Sequence, residues 1–456
     1  MSMLDLTANH AVTTELLLHP LDWRARAVEQ LEIASADRCL RRRSLQCAPL
    51  RTVLDRVASL GDAEEVFVVL HIATVPRGPL LDFDVEGPDG SSAFLLPRGE
   101  IAARQLDFLK AVMDQVPLRL TADQLTFVSA LLSFPLDNWF HNGEPPIDVK
   151  GYLADGLGQE IDASRFSAWL DVAGECRRLL QGFCDLDGFN IVLDPLFALP
   201  LACGEGDGSS LEQAERLLTA YMDLVRLLCA RDAPDSPVRD ALNSLVDYGH
   251  SYDLLVAVKV PLDMPFMLKY QENRIIDFDL KQWGKQDVVL ADANSNHVAV
   301  RVTDPNVRIK ELRAEHPVTR AASFGTFTVA IQPSVSAFYA HGDDRDYRAR
   351  LWLRLAPLRR LQLVQWLAFA LVSAVAAVLW IEAPEGRDLA LLAGPTALSA
   401  TVLLAREPTT LGSRLRRIPS ALLGIALAAM VVIALVLYLD SHGWIHDLEH
   451  RLTSVF

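Results

Sequence analysis

Paired cysteines of the CxxC kind are missing from this chain. The six cysteines stand at 39, 47, 176, 184, 203 and 229, a spacing that excludes a zinc site of the usual design. A basic start followed by an apolar run is also missing. The chain opens Met-Ser-Met-Leu-Asp-Leu-Thr, so no secretory signal is read, and the bulk is expected in the cytoplasm with free, core-filling thiols. No GxSxG, HExxH or kinase signature occurs. Gly204-x-Gly206-x-Gly208 lacks the lysine of a P-loop and the strand that precedes a dinucleotide site. Positive charge is in short supply: 43 basic residues face 58 acidic ones, giving −15. From residue 346 onward there are 11 basic and 8 acidic side chains, +3, which leaves −15 − 3 = −18 on residues 1–345. An acidic surface argues against nucleic acid, because phosphate binding needs cations that release counterions. Arginine far outnumbers lysine, as in GC-rich genomes, so single arginines are not read as phosphate clamps.

Charge is scarcest in the last fifth. Leu361–Ile381, Leu389–Ala405 and Ala421–Leu439 contain no Asp, Glu, Lys, Arg or His, and each approaches the roughly 20 residues a helix needs to cross a bilayer core. In lipid such a run satisfies its own backbone only as a helix. The second run carries Gly394-Pro395, with Thr396, Ser399 and Thr401 able to serve the freed carbonyls. The third carries Gly424 and Ala428, a small-residue pair that lets helices approach closely.

Before these runs the pattern is mixed. A short amphipathic helix is expected near Trp23–Ile33, a strand pair at Arg38–Pro49 and Glu65–Val75, and a hairpin that turns at Gly87–Gly90 between Pro79–Val85 and Ala93–Leu96. Helices are expected over Glu100–Val116, from Thr121 with Gln124 closing a capping box, over Asp162–Phe183 and Ser210–Arg231, and once more after Pro237. Phe189–Leu201 reads as an extended apolar piece. Short strands then run from Tyr252 to Leu355, with Val298, Val300 and Val302 turned inward. The fold class is therefore an α+β soluble region plus an antiparallel β-sandwich (Ig-like) domain, followed by an all-α three-helix transmembrane domain. The divisions are 1–120, 121–249 mostly helical, 250–357, 358–441, and a 442–456 extracytoplasmic tail.

Orientation follows the cations. Arg345, Arg348, Arg350, Arg354, Arg359 and Arg360 precede the first run, and Arg406, Arg414, Arg416 and Arg417 follow the second. The opposite flanks are acidic, with Glu382, Glu385 and Asp388 against Arg387. Cationic flanks stay inside, which puts the N-terminal part in the cytoplasm of a bacterial, multi-pass plasma-membrane protein and the C-terminus outside. Trp380, Tyr438 and Trp444 fall where an interfacial aromatic belt sits.

Chemical sites are few. His442, His446 and His450 recur every four residues, so a continuing helix would stripe three imidazoles along one side, a metal-binding pattern with Asp440 or Glu449 nearby. The plainer reading is an amphipathic interfacial tail. Asp82, Asp84, Glu86 and Asp89 alternate like a calcium ladder, and more simply face water. Asp185, Asp187, Gly188 and Asn190 lack the glutamate of an EF-hand. His71 and His250 could each meet an acid in space. The juxtamembrane arginines suit anionic lipid. No cofactor and no catalytic residue is read.

Two stretches carry a resemblance. Thr74–Gly90 is similar to a segment of uncharacterised actinobacterial membrane proteins, and Ala405–Leu415 resembles the loop between their last spans, departing from it at Glu407-Pro408. The resemblance implies architecture and lineage and no activity. The function expected is a cytoplasmic binding or scaffold platform anchored by three transmembrane helices, with a protein or small molecule as partner. The alternative is a membrane effector whose soluble part senses a signal while the spans oligomerise into a pore.

Overall fold

The computed structural model describes residues 3–35, 37–76, 81–116, 118–133, 150–151, 154, 160–180, 211–232, 237–276, 278–279, 282–289, 293–315, 328–331, 335–341, 348–382, 394, 411, 415 and 417–441. β1 (Met3–Asp5) leads to α1 (His10–Leu18), whose first turn is capped by the Asn9 side chain, and to the single turn α2 (Pro20–Trp23). Two ten-residue strands follow, β2 (Arg24–Ile33) and β3 (Arg38–Cys47). The turn α3 (Arg51–Leu54) precedes β4 (Glu65–Pro76), β5 (Leu81–Glu86) and the two-residue β6 (Phe94–Leu95).

Among the described residues five helices come next: α4 (Arg98–Asp114), α5 (Ala122–Ser133), α6 (Ala163–Leu180), α7 (Leu211–Arg231) and α8 (Pro237–His250). The expected capping box at α5 is present. The Thr121 N–H donates to Gln124 Oε1 at 2.9 Å, and the Gln124 N–H returns to Thr121 Oγ1 at 3.2 Å. Asp162 does the same work for α6, accepting the Arg165 N–H at 2.9 Å. These helices share one apolar core around Leu109, Phe127, Leu224 and Leu245, with Phe127 stacked on Tyr221.

The remaining strands are β7 (Ser251–Pro261), β8 (Phe266–Ile275), β9 (Trp283–Val289), β10 (Ser295–Val302), β11 (Val307–Glu315), β12 (Thr328–Ile331), β13 (Val335–His341) and β14 (Arg348–Pro357). The last described elements are two long helices, α9 (Arg359–Glu382) and α10 (Arg417–Ser441).

The strands form a four-stranded sheet β1-β4-β7-β6, a seven-stranded sheet β12-β13-β10-β2-β3-β8-β5 and a three-stranded sheet β11-β14-β9. The late strands do not close on themselves as a separate sandwich. β7 pairs with β4, β8 with β3 and β5, and β10 runs parallel to β2, so the two larger sheets are woven from both halves of the soluble region. Periodicity marks a strand but not its neighbour, which is why pairing across 200 residues escapes the sequence pattern. For the same reason β3 and β4, expected as a pair, lie in different sheets. The turn at Gly87–Gly90 is as expected, with Gly90 at φ +78 and Gly87 N–H bonded to Ser91 O at 2.7 Å. Its return strand β6 crosses to pair with β7.

One element is corrected outright. Where a helix is expected over Trp23–Ile33, Trp23 ends α2 and Arg24–Ile33 is a strand. Trp23, Ala27 and Leu31 are spaced by four and imitate a helical stripe. The side chains that point inward are Ala27, Glu29, Leu31 and Ile33, spaced by two. The buried member that hides this period is a glutamate.

The inner face of the seven-stranded sheet has two apolar ends. One end, with Ala27, Leu45, Cys47 and Leu268, packs on the four-stranded sheet through Val66, Val68, Val256 and Val258. The other, with Leu31, Ile33, Cys39, Val298, Val300 and Val302, packs on the three-stranded sheet through Ile309, Leu351, Leu353 and Leu355. The inward placement of Val298, Val300 and Val302 follows the expected alternation.

Candidate functional site

Between the two apolar ends lies a belt of buried charge. Glu29 on β2 stands opposite Arg43 on β3, and Arg41 stands opposite Glu272 on β8. All four side chains are at most 4% exposed. Arg41 donates from Nη2 to Glu29 Oε2 at 2.8 Å and from Nη1 to Glu272 Oε1 at 3.1 Å. Its Nε sits 2.8 Å from Glu29 Oε1, close enough for ionic attraction but misaligned as a hydrogen bond. Burial alone would pull the Arg41 guanidinium down, yet Glu29, Tyr270 and Glu272 hold it charged. Burial pushes the Tyr270 hydroxyl up to about 12, against the opposing pull of Arg41 and Arg43. Closed off from water and mutually neutralised, this belt fixes strand register and offers no reactive group.

A second cluster forms where β4 meets β7. Arg24 donates from Nη2 to the His71 carbonyl at 2.7 Å and faces His71 Nδ1 at 2.5 Å. His71 Nε2 lies 3.1 Å from Asp253 Oδ1. Asp253 also accepts from Thr74 Oγ1 at 2.8 Å and from Gln105 Nε2, on α4, at 3.2 Å. Burial pushes the Asp253 carboxyl up, but attraction to the His71 ring and the bonds from His71, Thr74 and Gln105 hold it below the ordinary value. A guanidinium faces the His71 ring at Nδ1 and a carboxylate faces it at Nε2. Both ring nitrogens are therefore occupied, and His71 has no lone pair to offer a substrate. The expected meeting of His71 with an acid occurs, as a tie between β4, β7 and α4. The acid lies 182 residues away, and no motif could name it.

Near the start of α4 an open depression of about 510 Å³ is walled by Phe67, Val69, Phe94 and Leu95, with Arg104 at its base. The Arg104 guanidinium is engaged by Thr7 O at 2.7 Å and Glu100 O at 3.2 Å. It tethers the N-terminal segment to α4.

The two C-terminal helices carry the least ordinary surface. Gln362–Ile381 of α9 and Ser420–Leu439 of α10 are each long and apolar enough to cross a membrane, and only 17% and 11% of these stretches is buried. They pack through Val372, Leu379, Leu423 and Met430, spaced by seven along each helix. Gln365 Nε2 approaches Ser420 Oγ at 3.4 Å near the starts of both helices, so the two lie side by side and run in the same direction. Both begin at the three-stranded sheet. Only Leu358 separates β14 from α9, and its N–H bonds Asn306 O at 2.9 Å. Ahead of α10, Leu411 and Leu415 pack into that sheet's core, and Gln282 Nε2 donates to Leu415 O at 2.9 Å.

The other sequence candidates fall as follows. His442, His446 and His450 lie outside the described residues, as do Leu389–Ala405 apart from Gly394, the Asp185–Asn190 loop, the Gly204–Gly208 loop, Phe189–Leu201 and Trp444. Among the described residues no group of three or more His, Cys, Asp or Glu is placed to hold a metal ion. Asp82 accepts from Asn273 at 2.5 Å, and Asp89 caps its own turn through Ser91. His250 ends α8. Trp380 and Tyr438 stand 72% and 49% exposed toward the far ends of their helices. Cys39 and Cys47 are buried free thiols, and Cys176 is buried as well. In comparisons with family models, curated proteins and solved structures, nothing matches the chain.

Proposed function

We propose that this chain is an integral membrane protein in which a cytoplasmic α/β body, a platform for a protein or small-molecule partner, is held at the bilayer by three C-terminal spans. The observation that carries the reading is the pair α9 and α10. Leu363, Leu367, Leu371, Ile425, Val432 and Leu435 are each more than half exposed, and a helix of a soluble core would have buried them. In lipid the same side chains lie in their preferred medium.

Three spans, rather than two, are supported by direction. α9 and α10 leave the soluble body the same way, while Leu411 and Leu415 are back against that body before α10 begins. Between the end of α9 and Leu411 the sequence holds one further apolar run, Leu389–Ala405, and that return to the body supports reading it as the third span. An odd number of crossings sets the C-terminus opposite the body. Arg359, Arg360 and Arg417 flank the starts of α9 and α10, on the body's side, which supports a cytoplasmic body. The described seam between α9 and α10 is filled by Val372, Leu379, Leu423 and Met430, an interior suited to packing rather than to water, so anchoring is favoured over a pore.

The test is fractionation followed by topology labelling. The full-length chain should pellet with membranes and resist alkaline extraction. In a background without native cysteines, Ser441→Cys should react with an impermeant maleimide on intact cells, and Ser92→Cys only after lysis. Recovery in the detergent-free supernatant sinks the membrane reading. Labelling of both positions, or of neither, on intact cells sinks the three-span topology.

A further inference from the structure

From the membrane-proximal edge of the three-stranded sheet we infer a binding site for the headgroup of an acidic phospholipid, formed by Arg308, Arg354 and the Trp283 ring. This inference rests on the membrane reading above and names a partner for the surface where the body meets the bilayer.

Arg354 on β14 pairs directly with Trp283 on β9, and Arg308 on β11 pairs with Ala356, two residues along the same face. The two guanidiniums are therefore diagonal neighbours at the end of the sheet from which α9 departs. Both are partly exposed. The Trp283 ring is flanked by two guanidiniums, Arg313 at 5.1 Å and Arg354 at 5.7 Å, a cation–π arrangement that holds the arginines extended.

The charge around them is unevenly matched. Arg313 is satisfied by Glu311, with its Nε 2.5 Å from Glu311 Oε1. Asp279 is turned onto the Trp283 N–H and Asp304 accepts from the Asn306 N–H. Glu311 stands opposite Arg354 in register but is turned to Arg313; among the described residues neither Arg308 nor Arg354 has a carboxylate within ion-pair distance, and the Nε of each is buried without a hydrogen bond. Arg359 and Arg360 follow within six residues of Arg354, and the apolar stretch of α9 begins at Gln362. The continuity of β14 with α9 therefore fixes these cations at headgroup level, where a phosphate bearing net negative charge supplies what the protein lacks. A tryptophan at this depth also belongs at the water–lipid boundary.

The experiment uses the full chain in a zwitterionic detergent, with native mass spectrometry to count bound lipid. Phosphatidylglycerol and phosphatidylcholine of equal chain length are offered in parallel at the same concentration. Phosphatidylglycerol should bind in preference to phosphatidylcholine. R308Q/R354Q should lose roughly 5-fold in phosphatidylglycerol affinity per arginine and about 25-fold together, with phosphatidylcholine unchanged. R308K/R354K should keep most of the preference, and R226Q, on a distant helix, all of it. Equal binding of the two lipids to the unaltered chain overturns the site without any substitution. So does an R308Q/R354Q chain that folds and binds as before, or displacement of the lipid by equimolar inorganic phosphate. Failure of the membrane reading looks different, since the chain would then need no detergent to stay in solution.

Discussion

Arg41→Met tests whether the charged belt inside the seven-stranded sheet is held by mutual satisfaction. Arg41 supplies two hydrogen bonds and one further close ionic contact to two carboxylates, and is 1% exposed. Without it, Glu272 keeps Arg274, whose Nε is 2.7 Å away. Among the described residues Glu29 keeps the 3.8 Å approach of Arg43 Nη1. Stranding a buried charge in this way costs about 3–5 kcal/mol, a large part of the roughly 5–15 kcal/mol by which a domain is stable. Because several cores make up the chain, the assay should be local: hydrogen exchange of peptides covering β2 and β3 in the detergent-solubilised full-length protein. Protection there should fall by roughly a hundredfold to a few thousandfold, while α6 and α7 change little. Adding Glu29→Gln should restore more than half of the loss, since an amide tolerates burial that a carboxylate does not. A loss below about 1 kcal/mol, or no rescue by Glu29→Gln, would refute mutual satisfaction as the reason these groups are buried.

Two further outcomes follow from the buried groups. The Asp253 carboxyl is held below its ordinary value, so its stabilisation is complete above the unfolded value of 3.8 and lost as pH falls through the lower folded one. Asp253→Asn should therefore flatten the acid limb of stability below about pH 4 and loosen β4 from β7, read by hydrogen exchange between pH 3 and 7; an unchanged acid limb counts against the cluster. Burial pushes the Cys39 and Cys47 thiols up to about 12, so iodoacetamide at pH 8 should leave both untouched in the native chain and modify them within minutes in denaturant. Rapid native modification would place them outside the core.

Apolar period carried most of the elements: the helices from Arg98 to His250, most of the strands from Ser251 to Pro357 and the two described terminal helices sit close to where spacing and capping residues put them. Where polar side chains are buried the period misleads, because a pattern of hydrophobic positions counts Glu29, Arg41 and Arg43 as outward. The candidate site was less legible. His71 was visible, but Asp253 becomes its partner only through β4–β7 pairing, and Gln105 reaches Asp253 only once α4 is seated.

What the amino-acid order determined by itself is therefore local: which segments are helix or strand, and which are oily enough for a bilayer. Tertiary structure alone decided the rest. It wove late strands into early sheets, matched four buried charges across three strands, and started α9 and α10 from one small sheet in the same direction. The physical reason is that periodicity and capping act over a few residues, whereas strand pairing, charge matching and helix direction depend on groups that only the folded chain brings together.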